Sequence, residues 1–415
     1  MNRTITLSAM ILSYFVFAIL LNSVGTVILQ SMASFDISKP QASVLEGYKD
    51  LSIALVSFAV ASIIPRIGYK FALAAGLVIV TIACALTPIV AEFWFIKLLF
   101  ACIGVAFALV KVSVYALVGE LTDSTQAHSS LLNTIEGLFM VGSLTGYWLF
   151  SLYIDPEQSA HLSWLNVYFL LAVISLLALV TALGIKHNKT ALDARGQSVG
   201  HEFLAMLQLS YRPLVLVFVL SIFLYVLIEQ GIGTWLPTFN NEVLRLPVDV
   251  SVQLTSLFAA SLAIGRLLAG QILKKVNWYG FLNVCLCLMA VLILLILPLT
   301  KNLAQVDVAS LADVPAVAYV LPLVGLLMAP IYPVLNSVML SSLAKSQHAA
   351  MTGLIVVFSA LGGTTGSIIT GFVFEYLGGQ SAFYFSLLPM LGIVLSLYGF
   401  KRLSQQQYQE QEAVA

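Results

Sequence analysis

The sequence predicts an all-α membrane protein in which twelve transmembrane helices form two halves of six. Three observations predict this fold class. Apolar residues make up 60% of the 415 residues and charged residues only 9%, whereas a soluble domain carries roughly 25% charged residues. The apolar residues form runs long enough for helices of about 20 residues to cross a bilayer. One long polar stretch, residues 186–212, divides these runs evenly.

Short loops that contain Pro, Gly, Asp and Asn separate the apolar runs, and these residues favour turns. The first run is too long for the apolar core of a signal peptide, so we expect it to be retained as the first helix. The predicted spans lie near residues 5–31, 42–64, 71–91, 94–121, 130–153, 164–185, 213–238, 251–273, 280–300, 316–343, 351–375 and 381–401.

These spans predict four segments along the chain. Residues 1–185 form an N-terminal six-helix half, and residues 213–402 form a C-terminal six-helix half. Residues 186–212 are polar and basic, which is typical of a cytoplasmic linker between the halves. The polar residues 403–415 form a cytoplasmic tail.

The loops also predict the orientation in the membrane. With the N-terminus inside, most loop Lys and Arg residues lie on the cytoplasmic side, as the positive-inside rule requires. An odd number of spans would place the termini on opposite sides and remove this asymmetry. We therefore predict a multi-pass protein of the bacterial inner (plasma) membrane with both termini in the cytoplasm. The predicted cytoplasmic basic residues are Arg3, Arg66, Lys70, Lys186, Lys189, Arg195, Arg212, Lys274, Lys275, Lys345, Lys401 and Arg402.

Composition and motifs argue against several classes of protein. The formal net charge is zero, which gives no indication of a nucleic-acid partner. Cys84, Cys102, Cys285 and Cys287 lie in apolar runs without zinc-like spacing, so we interpret them as packing residues. The sequence shows no nucleophile–base set, no metal cluster and no phosphate-binding glycine loop. We therefore expect that the protein is not an enzyme and that it binds no cofactor and no metal. We also expect it to be a monomer.

Six of the ionisable residues in the predicted spans are predicted to be buried in the membrane. A charged side chain at the centre of a membrane helix costs at least about 2.5–3.5 kcal/mol, so each of them requires an explanation. They are Glu46, Lys49, Asp50, Lys111, Glu136 and Glu229.

Five of these residues form two groups in the N-terminal half. Glu46 and Asp50 are four residues apart and share a helix face, with Lys49 beside them. Lys111 and Glu136 lie at similar depths in spans 4 and 5. Both groups are open to two interpretations: structural ion pairs, or proton coupling in which a carboxylate leaves its partner and takes up a proton. Burial and a nearby ammonium shift a carboxyl pKa in opposite directions, so such a pair can exchange a proton near neutral pH. Asp50 and Glu136 are the leading coupling candidates, followed by Glu46.

Span 7 contains the most distinctive local sequence, residues 223–239 (FLYVLIEQGIGTWLPTF). Glu229 supplies a hydrogen-bond acceptor, Gln230 an amide and Trp235 an aromatic surface. Sugar sites use this combination, because hydroxyl groups need acceptors and donors while the C–H face of the ring packs on an aromatic surface. The alternative is helix packing with an interfacial Trp.

Several amide and hydroxyl side chains also lie inside the predicted spans. A buried amide is costly unless it is hydrogen-bonded, so these residues are candidate substrate contacts. Asn22 in span 1 and Asn336 in span 10 occupy related places in the two halves. The further candidates are Asn133 in span 5 and Tyr332 in span 10.

The arrangement of two six-helix halves and a basic loop resembles that of major facilitator transporters. Two segments also resemble degraded copies of the cytoplasmic signature of that superfamily, in which glycines alternate with an acid and basic residues. They are residues 64–70 (IPRIGYK) and, at the equivalent point of the second half, residues 265–275 (GRLLAGQILKK). The acid of the signature is absent from both. This resemblance covers the whole chain and implies the major facilitator fold.

Three segments of the C-terminal half resemble a narrower group, the fucose/glucose–galactose permeases (the fucose:proton symporter family). They are residues 225–237 in span 7, residues 325–337 in span 10 with their paired prolines and following Asn, and residues 353–363 in span 11. The resemblance implies proton-coupled uptake of a hexose-like sugar by alternating access. The usual coupling carboxylates of the group lie in spans 1 and 4, whereas here span 1 has no acid and span 4 carries Lys111.

Two other transport functions remain open. The first is uptake or exchange of an organic anion, with Lys49 or Lys111 as its counter-ion. The second is export of a drug or metabolite in exchange for protons. Exporters of that kind usually carry a Gly–Pro pair in span 5, and here Gly137, Gly142 and Gly146 occur without proline. The small-molecule partner that we expect is sugar-like and is transported together with a proton.

Overall fold

A computed structural model describes residues 3–122, 124–158, 160–185, 206–301, 308, 310–344 and 347–414 of the chain. These residues form helices joined by turns, with no strand among them, which confirms the all-α class. The chain divides into two compact units, Met1–Val199 and Gly200–Ala415. Residues 186–205 of the predicted linker lie outside the described residues, so the predicted boundaries at 185 and 213 stay predictions.

Seven α-helices are described in the first unit. A 3-10 turn, Leu162–Asn166, precedes the last of them. The helices are α1 (Arg3–Asn22), α2 (Val24–Phe35), α3 (Lys39–Ile67), α4 (Tyr69–Val90), α5 (Phe93–Leu121), α6 (Thr125–Ser151) and α7 (Val167–Leu183).

The start of these helices follows from local side-chain chemistry. Ser38 and Gln41 form a capping box at the start of α3, in which each side chain satisfies a backbone amide that the helix leaves unpaired. Ser124 caps α6, because its hydroxyl accepts a hydrogen bond from the amide of Ala127 at 3.2 Å. Polar residues between the apolar runs therefore define where two of the helices begin.

The first predicted span, residues 5–31, is one apolar run but two helices, because the helix is interrupted at Ser23. The Ser23 hydroxyl donates to the carbonyl of Leu20 at 2.8 Å. The Asn22 amide donates to the carbonyl of Ala18, also at 2.8 Å. Side chains that bond back to carbonyls three or four residues earlier compete with the helix and often bend it, which explains the position of this break.

Nine α-helices are described in the second unit, together with 3-10 turns at Leu311–Asp313 and Leu321–Leu323. The α-helices are α8 (Pro213–Glu242), α9 (Val248–Ile272), α10 (Trp278–Leu299), α11 (Ala316–Val320), α12 (Val324–Met328), α13 (Ile331–Ser341), α14 (His348–Leu377), α15 (Gly379–Tyr384) and α16 (Leu387–Val414).

Span 10, predicted as one stretch over residues 316–343, is divided into α11, a 3-10 turn, α12 and α13. Pro322 lies in the 3-10 turn and Pro330 lies in the turn between α12 and α13. Proline has no backbone N–H and clashes with the carbonyl four residues earlier, so it interrupts an α-helix. The divisions of this span follow directly from these two prolines.

Helix packing repeats within the two units. In the first unit α1 packs against α6 and α7, α3 packs against α5, and α4 packs against α5 and α7. In the second unit α8 packs against α14 and α16, α9 packs against α12, and α10 packs against α12 and α16. In the order of the predicted spans these are the same pairings. Each unit therefore has the same internal arrangement, as two related halves require.

Closely approaching glycines carry the tightest of these repeated contacts. Gly142 and Gly146 face α1 from α6, while Gly362 and Gly366 face α8 from α14. A Cβ atom at Gly362 would lie only 2.5 Å from the carbonyl oxygen of Phe223. Small residues four apart allow membrane helices to approach this closely, so both units use one packing device at the equivalent place.

Ten helical segments of the described chain are long and apolar enough to cross a membrane, so this is a multi-pass membrane protein. Lys39–Ile67 and Thr125–Ser151, at the places of predicted spans 2 and 5, are not among the ten and are richer in polar residues. The count of twelve therefore stays a prediction. The ten segments are Arg3–Asn22, Tyr69–Val90, Phe93–Leu121, Leu162–Leu183, Pro213–Glu242, Val248–Ile272, Trp278–Leu299, Ala316–Ser341, Ala350–Leu377 and Gly379–Gln406.

Candidate functional site

The first group of charges surrounds Lys49, a buried residue on α3. Its ammonium forms an ion pair with the Glu46 carboxylate, one helical turn earlier on the same helix. Asp50 Oδ1 lies 3.4 Å from the same Nζ atom. Glu46 is fully buried and Lys49 is only 5% exposed. The structure therefore brings together the three α3 residues selected from the sequence, and we refer to Glu46, Lys49 and Asp50 as the α3 cluster.

A backbone group from the interrupted first span completes the α3 cluster. The carbonyl oxygen of Leu21 lies 3.4 Å from Lys49 Nζ. Because α1 ends at Asn22, carbonyls of its last turn have no amide partner within the helix, and this helix end carries partial negative charge. Sequence reasoning missed Leu21, since a backbone acceptor has no side-chain signal and the break at Ser23 was not predicted.

Neighbouring helices supply further polar groups around the first span. Tyr147 on α6 is buried and interacts electrostatically with Lys49 and Glu46. On α2, three buried atoms have no hydrogen-bond partner within the described part of the chain. They are Thr26 Oγ1, Gln30 Nε2 and Ser31 Oγ. An unpaired buried polar atom is costly, so these three side chains of α2 keep hydrogen-bonding capacity that the described residues do not use.

The second group of charges lies on α5 and α6, and a tyrosine separates its two ions. The Tyr115 hydroxyl donates to Glu136 Oε1 at 2.9 Å. The Lys111 ammonium lies 5.8 Å from the centroid of the Tyr115 ring and 5.7 Å from that of Phe107. The direct Lys111–Glu136 ion pair considered from the sequence is not formed among the described residues. Tyr115 lies four residues after Lys111 on the same helix face, and its hydroxyl reaches the carboxylate.

Tyr14 on α1 connects the first helix to this second group. Its ring centroid lies 5.8 Å from that of Phe139 and 6.4 Å from that of Phe107. Tyr14 also interacts electrostatically with Tyr115 and Glu136. A Tyr that follows a charged residue by one turn, as Tyr115 follows Lys111, is the sequence signal that could have identified this group.

A third group lies in the second unit, where α8 approaches α9. The Tyr225 hydroxyl donates to Glu229 Oε1 at 3.1 Å. Arg266 Nη2 lies 3.9 Å from the same oxygen atom. Arg266 belongs both to predicted span 8 and to the segment that resembles the cytoplasmic signature, and the structure places it inside α9, six residues before the helix ends at Ile272. Its place within an apolar run was the available signal. Arg266 thus joins the six charged residues that were selected from the sequence.

Three predicted substrate contacts lie around this third group. The Tyr332 ring packs against Tyr225 with centroids 5.7 Å apart, and its hydroxyl lies 3.2 Å from Ser359 Oγ. Asn336 follows one turn later on α13, and its buried Oδ1 atom has no partner within the described residues. Glu229 and Tyr332 are therefore linked through Tyr225, and Asn336 lies one helical turn from Tyr332. We refer to Tyr225, Glu229, Arg266, Tyr332 and Asn336 as the α8–α13 site.

Trp235 and Gln230 differ in their surroundings, although both were selected from span 7. Trp235 is fully buried, and its indole N–H donates to the carbonyl of Ser367 at 2.9 Å. The Trp235 ring packs against Phe374 with centroids 5.7 Å apart. In this structure Trp235 therefore packs α8 against α14, and its role as a substrate contact stays a prediction. Gln230 is half-buried.

Asn22 and Asn133, the two asparagines selected in the first unit, make no described contact with the side chains of the α3 cluster. The Asn22 amide is bonded to its own helix, through the carbonyl of Ala18. Asn133 lies on α6 and is exposed. Neither makes a described contact with an ionisable side chain, so their predicted role as substrate contacts stays a prediction.

Comparison with known proteins gives one family. The family model of the Major Facilitator Superfamily matches residues 8–329. A search of the curated proteins gives no match.

Solved structures with this fold include several transporters. The nucleoside transporter NupG superposes with a TM-score of 0.69 at 18% identity, covering 97% of this chain and 99% of that one. A bacterial homologue of the human lysosomal transporter Spinster, inward-facing and occupied, gives 0.71 at 13% identity, covering 99% and 97%. A D-xylose–proton symporter gives 0.67 at 13% identity, covering 94% and 95%. These similarities establish the fold, while the narrower resemblance to fucose:proton symporters stays a prediction.

Proposed function

Because this chain belongs to the Major Facilitator Superfamily, whose members are transporters and not enzymes, we propose that it is a proton-coupled symporter. It takes up a sugar or a sugar derivative by alternating access. We further propose that it acts as a monomer in a bacterial inner membrane, with both termini in the cytoplasm. The similar solved structures include a nucleoside transporter and a D-xylose–proton symporter, which supports a hydroxyl-rich substrate.

The observation that carries proton coupling is the composition of the α3 cluster. Two carboxylates, Glu46 and Asp50, surround a single ammonium, so the fully ionised cluster has one surplus negative charge. A net charge inside a membrane span is costly, and uptake of one proton makes the three side chains of the cluster neutral in sum. Asp50 is the better candidate to take that proton, because its side chain is partly exposed whereas Glu46 is fully buried.

The α5–α6 group offers a second place for the coupled proton. Glu136 is hydrogen-bonded to a neutral hydroxyl, that of Tyr115, and not directly to a cation. The nearby Lys111 interacts with it electrostatically across the Tyr115 ring. A half-buried carboxylate without a direct counter-ion is suited to bind and release a proton during transport.

Substrate recognition is proposed for the α8–α13 site. Tyr332 is half-buried and supplies an aromatic ring with a hydroxyl group, and the buried Tyr225 packs against it. Glu229 is an acceptor, and Asn336 has an unused buried acceptor atom among the described residues. Aromatic faces and hydrogen-bonding groups in one place are what a sugar ring and its hydroxyls require.

The coupling assignment is tested with Asp50→Asn and Glu136→Gln in proteoliposomes. Each variant removes a titrating carboxyl while keeping its shape. We expect loss of uphill accumulation under a proton gradient, while exchange of labelled for unlabelled substrate continues. Asp155→Asn, in an exposed turn outside the described helices, serves as control and should accumulate substrate like the parent protein. Normal accumulation by both test variants would remove the coupling assignment.

One alternative function has a specific observation in its favour. Arg266 adds a cation to the charged residues of the spans, and a cation favours an organic anion as substrate. The same transport assay also tests proton-driven export, because an antiporter would move substrate out of vesicles when protons move in.

A further inference from the structure

Arg266 is a charged residue of the spans whose guanidinium keeps hydrogen-bonding capacity for a ligand. Its guanidinium approaches Glu229 Oε1 at 3.9 Å, which is an ion-pair distance but too long for a hydrogen bond. Arginine has five N–H donors, and the contact with Glu229 satisfies none of them. The Arg266 side chain is 39% exposed, so another anion has access to it.

The backbone holds Arg266 in place. The preceding residue, Gly265, packs directly against the carbonyl of Leu326 on α12. A Cβ atom at Gly265 would also lie 2.7 Å from the Cβ atom of Ala329. Such close packing fixes the start of the Arg266 side chain relative to α12, and a fixed anchor lowers the ordering cost of binding a ligand.

We propose that Arg266 binds a carboxylate of the substrate, so that the transported sugar derivative is an acidic sugar such as a uronic acid; this rests on the function proposed above. The planar guanidinium matches a carboxylate with two parallel hydrogen bonds. The single positive charge of one guanidinium is matched by one carboxylate better than by the two charges of a phosphate. Glu229 is the internal anion that the substrate displaces from Arg266.

The groups around Arg266 fit the remainder of an acidic sugar. Tyr225 and Tyr332 both interact electrostatically with Arg266 and with Glu229, so both hydroxyls lie near these two charged side chains. The buried Oδ1 atom of Asn336 can accept a hydrogen bond from a substrate hydroxyl. A carboxylate partner beside hydroxyl partners and aromatic faces describes a sugar acid better than a neutral sugar or a simple organic acid.

The test compares pairs of sugars that differ only in a carboxylate. Purified protein is titrated with D-glucuronate and D-glucose, and with D-galacturonate and D-galactose, and binding is measured by isothermal calorimetry and by the shift in melting temperature. We expect each acid to bind at least about tenfold more tightly than its neutral partner, since hydrogen bonds to a charged group are stronger than neutral ones.

Variants at two positions assign the effect to the proposed contact. Arg266→Gln should weaken binding of the acid by about tenfold to a hundredfold, and by a larger factor than binding of the neutral sugar. Glu229→Gln should tighten binding of the acid, because it removes the competing internal anion. Arg402→Gln, an exposed position outside the site, should have no effect. Since Arg266→Gln leaves Glu229 without its cation, the double variant Arg266→Gln/Glu229→Gln provides a protein without either charge, and it should also fail to prefer the acid.

The outcomes separate this inference from the proposed function. Equal binding of acids and neutral sugars, or weaker acid binding by Glu229→Gln, would overturn the carboxylate contact while sugar transport stands. Binding of acetate and succinate with the same dependence on Arg266, without binding of any sugar, would support the carboxylate contact and overturn sugar transport. Binding of none of these compounds by folded protein would overturn both.

Discussion

At the scale of single residues, the charged side chains of the spans are accompanied by polar groups that lower the cost of placing them there. Lys49 contacts two carboxylates and the carbonyl of Leu21. The Glu136 carboxylate accepts a hydrogen bond from Tyr115. The Tyr115 hydroxyl is neutral, so its hydrogen bond leaves the charge on the Glu136 carboxylate. This carboxylate is therefore able to respond to a proton or to a substrate.

Tyr115 provides a test at this scale. Tyr115→Phe removes only the hydroxyl and keeps the ring that lies beside Lys111. A hydrogen bond to a charged group contributes about 1.5–3 kcal/mol, so its loss should disturb the position of Glu136 and reduce proton-driven uptake by roughly tenfold. Initial rates of proton-driven uptake and of substrate exchange are the measurements.

Exchange should be less affected than uptake if Tyr115 acts through Glu136. Tyr211→Phe, at an exposed position outside the described spans, is the matched control and should transport normally. Unchanged uptake by Tyr115→Phe would show that the hydroxyl has no part in coupling.

At the scale of helices, apolar runs and loop residues predicted where most spans begin and end, because burial in lipid requires a run of fixed length. They did not predict the break at Ser23, which depends on side chains bonding back to Ala18 and Leu20. The contacts of Lys49 with α3 acids followed from spacing along one helix. The position of Arg266 beside Glu229 did not, since it depends on how two helices pack.

The paired glycines give a prediction about helix packing. Gly362→Ala places a Cβ atom 2.5 Å from the Phe223 carbonyl oxygen, so α14 and α8 must separate. Overpacking of this kind costs about 1–3 kcal/mol, and the melting temperature of the purified protein should fall. At Gly270 on α9 an added Cβ meets no atom within 4 Å.

Gly270→Ala is therefore the matched control for the same substitution in the same unit. Alanine is a better helix former than glycine by about 1 kcal/mol, so the melting temperature of this variant should stay the same or rise. Equal destabilisation by both substitutions would show that the loss of stability does not come from the close contact of α14 with α8.

At the scale of the whole molecule, the repeated helix pairings within each unit agree with the family assignment. The orientation in the membrane is tested with single cysteines introduced into a variant without native cysteines. The introduced residues Glu157→Cys and Lys301→Cys should react with an impermeant thiol reagent in intact cells, because their loops are predicted outside. Arg402→Cys should react only after the cells are opened.

Two labelling patterns would contradict the predicted topology in different ways. Reaction at position 402 in intact cells, together with protection at 157 and 301, would reverse the predicted orientation. Reaction at 157 and at 402 but not at 301 would mean that the number of spans between these loops differs from the prediction.

The interruption of the first span has a mechanical meaning for the first unit. Ser23 retains near-helical dihedral angles (φ −80°, ψ −8°), so α1 and α2 are two rods that meet at one nearly unstrained residue. A small rotation about the Ser23 backbone changes the angle between α1 and α2 without breaking a helical turn. The same rotation moves the Leu21 carbonyl that Lys49 contacts. The direction of α2 and the surroundings of the Lys49 ammonium are therefore connected through the Leu21 carbonyl oxygen.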